Sequence, residues 1–398
     1  MISILGKVDV SIKGKDMKNI TFLVLHLGFG GIETAVVSQA NLLCKRYNVK
    51  IVSTYKLYET PPFTIDPSIE IEYLLEDLKP NKQEFICALK SFSVKNIIKE
   101  SLKSIKILYL RKKTMVDKIK NIESDIIISS RFLFNRFLSK YKQKEIISIA
   151  QEHRHHNNDK KYIKKLLKSL NGIDYFMPVS KELADFYNQK LEDKKTKCIY
   201  IPHFLDDFPE EVLNLDTNNI ISVGRLSYEK GYLDLIDVFY KVHTVCPDLV
   251  LNIVGDGDQR EAIQKKICKL NLQENIILHG FQNKEFINKL YKKSSLYLMC
   301  SLEESFGLVL IEAQSFGIPC IAFCSAQGAC EVINNNVNGF LIDDRNLNEM
   351  AEKIVILFND KDKLKKFGLN SKENAKSYTK SIAEENWFSF IDKICMGR

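Results

Sequence analysis

Two carboxylates, Glu304 and Glu312, stand with seven residues between them in Cys300-Ser301-Leu302-Glu303-Glu304-Ser305-Phe306-Gly307-Leu308-Val309-Leu310-Ile311-Glu312-Ala313. A carboxylate accepts several hydrogen bonds, so a pair of them suits the hydroxyls of a sugar and a ribose. Two cations, Arg225 and Lys230, lie upstream in Val223-Gly224-Arg225-Leu226-Ser227-Tyr228-Glu229-Lys230-Gly231. A guanidinium donates paired bonds to phosphate oxygens and an ammonium adds a compact charge, so this segment outlines a diphosphate site. Both segments need the same scaffold: an apolar strand, a glycine turn, then a helix. One glutamate then sits in the loop and the other about two turns into the helix, at the carboxyl end of a parallel sheet where open α/β folds bind ligands.

The chain supplies that scaffold twice. Short apolar runs at 21–27, 49–54, 69–74, 125–129, 146–150 and 175–179 alternate with helical stretches, and a second series follows from Ile220 through 249–254, 276–278, 296–299, 320–323 and 340–342. Such alternation predicts two parallel, doubly wound sheets. Cys198-Ile199-Tyr200-Ile201-Pro202 reads as a strand ending at a proline, followed by an acidic run to Glu211, and the domain boundary is expected there. The expected division is 17–204, 205–380 and a final helix within 381–398. Met17 feeds directly into the first apolar run, which makes residues 1–16 an expected upstream extension.

Five elements in order resemble the retaining, nucleotide-sugar-dependent glycosyltransferases of family 4. They are Val-Gly-Arg-Leu-Ser with Glu229-Lys230-Gly231, Val254-Gly255-Asp256-Gly257, His279-Gly280-Phe281, the paired glutamates, and Asn338-Gly339-Phe340-Leu341. The resemblance implies a GT-B fold, two Rossmann-like domains facing across a cleft, with the last helix crossing back onto the first. It implies transfer from a nucleoside-diphosphate sugar, UDP-linked by family frequency, without a metal or other cofactor, to a glycan or lipid-linked acceptor. Arg225 and Lys230 would stabilise the leaving diphosphate, Glu304 would hold the donor sugar and Glu312 the ribose. Gly224, Gly255, Phe281, Phe306, Gly307 and Leu308 would complete the donor site, the last three through backbone amides. Gly30 and Gly31 match the family's first-domain glycine loop, which faces the diphosphate and shapes the acceptor site. His153, in Gln151-Glu152-His153-Arg154-His155-His156, matches a histidine that touches the donor sugar near the reacting carbon. Two further readings stay open: a non-catalytic partner that binds nucleotide sugar or glycan, and a transferase acting on protein serines.

Other chemistries fit less well. Gly28-Phe29-Gly30-Gly31-Ile32-Glu33 begins like a dinucleotide site, but Glu33 replaces the third glycine and no carboxylate follows the second strand, which argues against a nicotinamide enzyme. Asp256-Gly257-Asp258 has the spacing of a metal-binding pair but falls in a glycine turn without a third ligand nearby, and the three histidines at 153, 155 and 156 lack a fourth zinc ligand. Ten cysteines match neither zinc spacing nor a secreted scaffold, and no leader or bilayer-length apolar run is visible. A cytoplasmic location is expected. The net charge of +8 is uneven: twelve Lys or Arg face three acids between Lys79 and Lys120, with Leu89, Phe92, Ile97, Ile98, Leu102, Ile105 and Leu108 among them. That pattern fits either a solvated helix face or peripheral attachment to an anionic membrane. Nucleic acid is not expected as a partner, because no recognition module accompanies the charge.

Overall fold

The computed structural model describes residues 17–396, so the expected extension at 1–16 lies outside the described residues. The first sheet has seven strands: β1 (Asn19–His26), β2 (Asn48–Tyr55), β3 (Glu70–Leu75), β4 (Ile126–Ser129), β5 (Ile147–Glu152), β6 (Tyr175–Pro178) and β7 (Lys197–Cys198). Their order is β3-β2-β1-β4-β5-β6-β7. Between them run α1 (Gly31–Leu43), α2 (Lys82–Lys90), α3 (Val94–Lys120), α4 (Phe132–Tyr141), α5 (Lys160–Ser169) and α6 (Lys181–Leu191). The second sheet has β8 (Asn219–Val223), β9 (Val250–Val254), β10 (Ile276–Leu278), β11 (Leu296–Met299), β12 (Cys320–Phe323) and β13 (Gly339–Ile342), in the order β10-β9-β8-β11-β12-β13. Its helices are α7 (Tyr232–His243), α8 (Arg260–Lys269), α9 (Lys284–Tyr291), α10 (Leu308–Ser315), α11 (Gln327–Val332), α12 (Leu347–Asn359), α13 (Lys361–Ala375) and α14 (Lys380–Met396).

Both sheets reverse direction next to their first strand, between β1 and β4 and between β8 and β11. That reversal opens a crevice at the carboxyl ends of the strands. The central strands are buried on both faces, as parallel strands covered by helices must be: β4, β11 and β12 show no exposed residue. Their sequences Ile-Ile-Ile-Ser, Leu-Tyr-Leu-Met and Cys-Ile-Ala-Phe are accordingly apolar throughout apart from one serine.

Two compact units emerge from the contacts. Among the described residues, the first comprises 17–152, 160–177 and 193–197; the second comprises 153–159, 178–192 and 198–396. This differs from a single cut at 204/205. His153–Asp159 groups with the second unit because the His155 amide donates to Ser305 Oγ at 3.0 Å, and α6 does so because the Lys181 amide donates to Glu331 Oε2 at 2.9 Å. The strand expected to run to Pro202 stops at Cys198, and α14 belongs to the second unit.

Candidate active site

Three loops meet above the second sheet, and glycines set their spacing. A Cβ on Gly231, where φ is +65°, would lie 2.0 Å from the Cys300 carbonyl oxygen, and one on Gly255, where φ is +140°, would lie 1.9 Å from that of Gly224. Only glycine meets both the backbone angle and the approach. The Leu302 amide donates to the Glu229 carbonyl at 2.8 Å and that of Gly328 to the Glu304 carbonyl at 2.9 Å, which fixes the loop carrying the cations against the loop carrying Glu304. Val254-Gly255-Asp256-Gly257 therefore has a packing role. Its Asp256 accepts from the Gly257 amide at 2.8 Å and lies 3.9 Å from Arg260, and among the described residues no group of three possible metal ligands forms.

Lys230 Nζ and Glu304 Oε2 sit 2.5 Å apart, both largely buried. Glu303 beside it is exposed, so the neighbouring glutamates have separate environments. Arg225 is 73% exposed, 4.0 Å from Glu229, while Asp234, another acid near these cations, is taken by Arg345 at 2.6 Å. Glu312 lies in the second turn of α10, earlier than two turns in. Burial pushes its carboxyl up to about 7 against the attraction of Lys284, and Asp206 adds to the rise. Tyr291, beside Glu312, and Tyr297, which feels Glu304, are buried with ring centres 6.4 Å apart, so a tyrosine layer underlies both carboxylates. Phe281 stands 62% exposed after β10.

Helices α7 and α10 begin at Gly231 and Gly307, both left-handed and neither with a side-chain cap, whereas Asn283, Asn346 and Asp360 cap α9, α12 and α13. No acid lies in the first turn of α10. A helix start of that kind presents amides and partial positive charge to an anion. Phe306, just before it, is buried, its ring edge-on to His203 at 5.0 Å and its backbone packed against Gly328. The ring of His153 stacks on His203 at 5.8 Å, and burial lowers His203 to about 4, keeping it neutral. His153 is thus drawn to the same loop as Glu304. Gly30 and Gly31 open α1 in the first unit, where Glu33 pairs with Arg131 at 2.6 Å and lies 3.7 Å from His26.

Residues 204–374 match the model of the glycosyl transferases group 1 family. The second unit therefore carries that family's domain. A Streptomyces coelicolor exopolysaccharide phosphotransferase is 23% identical over 93% of this chain, which spans 40% of that relative's length. A Campylobacter jejuni GalNAc-alpha-(1->4)-GalNAc-alpha-(1->3)-diNAcBac-PP-undecaprenol alpha-1,4-N-acetyl-D-galactosaminyltransferase is 24% identical over 95% of this chain and 99% of its own. Among solved structures, a variant of S. aureus TarM with UDP, alpha-GlcNAc-glycerol and fondaparinux aligns with a TM-score of 0.74, at 17% identity, over 94% of this chain and 99% of that one. The fold is GT-B and the chain is a glycosyltransferase.

One residue of this glycosyltransferase escaped the sequence. Arg345 donates to the carbonyls of Cys300 at 3.0 Å and Ser301 at 3.1 Å, to Ser325 Oγ at 2.9 Å and to Asp234, and stacks 4.3 Å over Phe323. It holds the Glu304 loop from behind. Arg345 lies outside the five matching elements, and its φ of +59° is unusual for an arginine.

Proposed function

We propose that this glycosyltransferase transfers a hexosyl or N-acetylhexosaminyl group from a UDP-sugar to a lipid-linked glycan precursor, with retention of configuration and without a metal. The carrying observation is the Lys230–Glu304 pair beside the uncapped start of α10. A diphosphate would take the ammonium from Glu304, and a sugar hydroxyl would then donate to the released carboxylate. Binding exchanges one ion pair for two polar contacts with the donor. Arg225, exposed, would close on the diphosphate, and the charge that grows on the departing phosphate would meet Lys230, Arg225 and the α10 amides. That phosphate oxygen would accept the acceptor hydroxyl's proton as the new bond forms on the same face. His153 would steer the sugar, and Glu312 would accept from the ribose hydroxyls. The glycine loop at Gly30 and Gly31 would shape the acceptor side.

The acceptor class draws on the undecaprenol-linked substrate in the Campylobacter relative's name, and the nucleotide on the UDP in the TarM structure. The test is nucleotide release by the purified chain across UDP-, GDP- and ADP-sugars with a chelator present. Release from a UDP-sugar is expected, reduced on the order of 10²–10³-fold by Glu304→Ala. A requirement for magnesium, an inverted product by NMR, or an undiminished Glu304→Ala enzyme would each overturn the corresponding part.

A further inference from the structure

The largest concentration of exposed apolar side chains lies far from these loops in sequence, on α2 and α3 of the first unit. Among the described residues, nine exposed large apolar side chains fall between Ile86 and Tyr109. Phe92, at the hairpin between the helices with φ at +51°, is 88% exposed. The inner face of α3 is already satisfied: Ile107 packs with Tyr55 and Leu75, and Met115 and Ile119 are buried. At ~100° per residue, Val94, Ile98, Leu102, Ile105 and Leu108 share an arc of about 120° that leaves out Ile107 and is buried only farther along the helix, at Met115 and Ile119, and Lys95, Lys99, Lys103 and Lys106 occupy roughly the next 80°. The stripe runs ~20 Å along the helix. The single acid between Val94 and Arg111, Glu100, is turned inward, its carboxylate accepting from Asn81 at 2.9 Å.

We infer that the α2–α3 hairpin docks this enzyme onto an anionic bilayer surface, with Phe92 and the Val94–Leu108 stripe entering the headgroup boundary and the lysine row facing the lipid phosphates. Charge decides between occupants. A second copy of the hairpin would set lysine row near lysine row, whereas an anionic headgroup layer complements the row and accepts the apolar stripe beneath it. No helix of the described residues is long and apolar enough to cross a membrane, which fits docking and not spanning. The surface would bring the enzyme to lipid-linked acceptors, but it does not depend on the donor assignment.

Flotation of the full chain with vesicles tests it, comparing pure phosphatidylcholine with a mixture containing about a third phosphatidylglycerol. At least about tenfold stronger binding to the anionic vesicles is expected, weakening in ~0.5 M salt. Leu102→Gln with Ile105→Gln should abolish binding to both. Lys99→Gln with Lys103→Gln and Lys106→Gln should remove only the anionic preference. Both variants should keep the parent's unfolding midpoint and its nucleotide release without vesicles. Equal binding by parent and variants would overturn the proposal, as would a parent dimer by sedimentation that the apolar variant dissolves, since the stripe would then join copies of the chain. Loss of nucleotide release with vesicle binding intact would sink the donor reading alone.

Discussion

The two sheets share one strand order apart from β7, yet two of their helix starts, α1 and α10, are treated in opposite ways. In the first, α1 carries its own anion: Glu33, buried in its first turn, held by Arg131 and near His26. In the second, α10 has no acid in its first turn, whereas α7, which occupies the place of α1, carries Asp234 paired with Arg345 much as Glu33 is paired with Arg131. A helix N-terminus attracts one negative charge most strongly within its first turn. Where the chain supplies that charge the end is satisfied, and where it withholds it a diphosphate has somewhere to go. Rossmann-like topology offers such a crevice in each sheet, and since α4 also lacks a first-turn acid, what sets α10 apart is the Lys230–Glu304 pair beside it.

Removing the cation from the satisfied end should have the largest effect. Arg131→Ala would leave Glu33 buried with a charge and no guanidinium, and a loss of about 3 kcal/mol in stability is expected by denaturant unfolding. Glu33→Gln with Arg131→Gln should recover most of it; if the single and double variants unfold alike, the pair is not what satisfies this end. Giving α10 the anion that α1 has comes next. Leu308→Asp should weaken UDP binding about tenfold in calorimetry while leaving the unfolding midpoint nearly unchanged, and unaltered affinity would deny α10 its anion role.

The smallest effect concerns pH. Glu312 holds its proton up to about 7 in the folded chain, above its ordinary value, so its contribution to stability is complete below the unfolded value and is lost as pH rises through 7. Ribose hydroxyls donating to it favour the ionised form, so the nucleotide should bind about fivefold more tightly at pH 8 than at pH 6. Glu312→Gln should flatten that dependence, and a slope that survives the substitution belongs to another group.

The readable part of this protein was local. Apolar runs of four to eight residues predict the strands of both sheets, since buried parallel strands need apolar residues on both faces. Gly231, Gly255 and Gly307 were legible because a left-handed turn or a close backbone approach leaves no room for another residue. The end of β7 was misjudged because a strand stops where its neighbour stops, and no residue between Cys198 and Pro202 announces that. The surplus of cations and apolar groups on α3 was also visible, but which face is covered was not, because that depends on Tyr55 and Leu75 arriving from other strands.

Sequence alone determined the strand and helix types, the glycine turns, and the presence of Lys230, Glu304 and Glu312, because each follows from residues close together in the chain. Tertiary structure decided which charges meet. Glu304 rather than Glu303 pairs with Lys230, Arg345 secures the loop from more than forty positions away, His153 joins the second unit, and burial raises Glu312. Charge interactions and desolvation depend on distance and surroundings in space, and neither is written in the local order of residues.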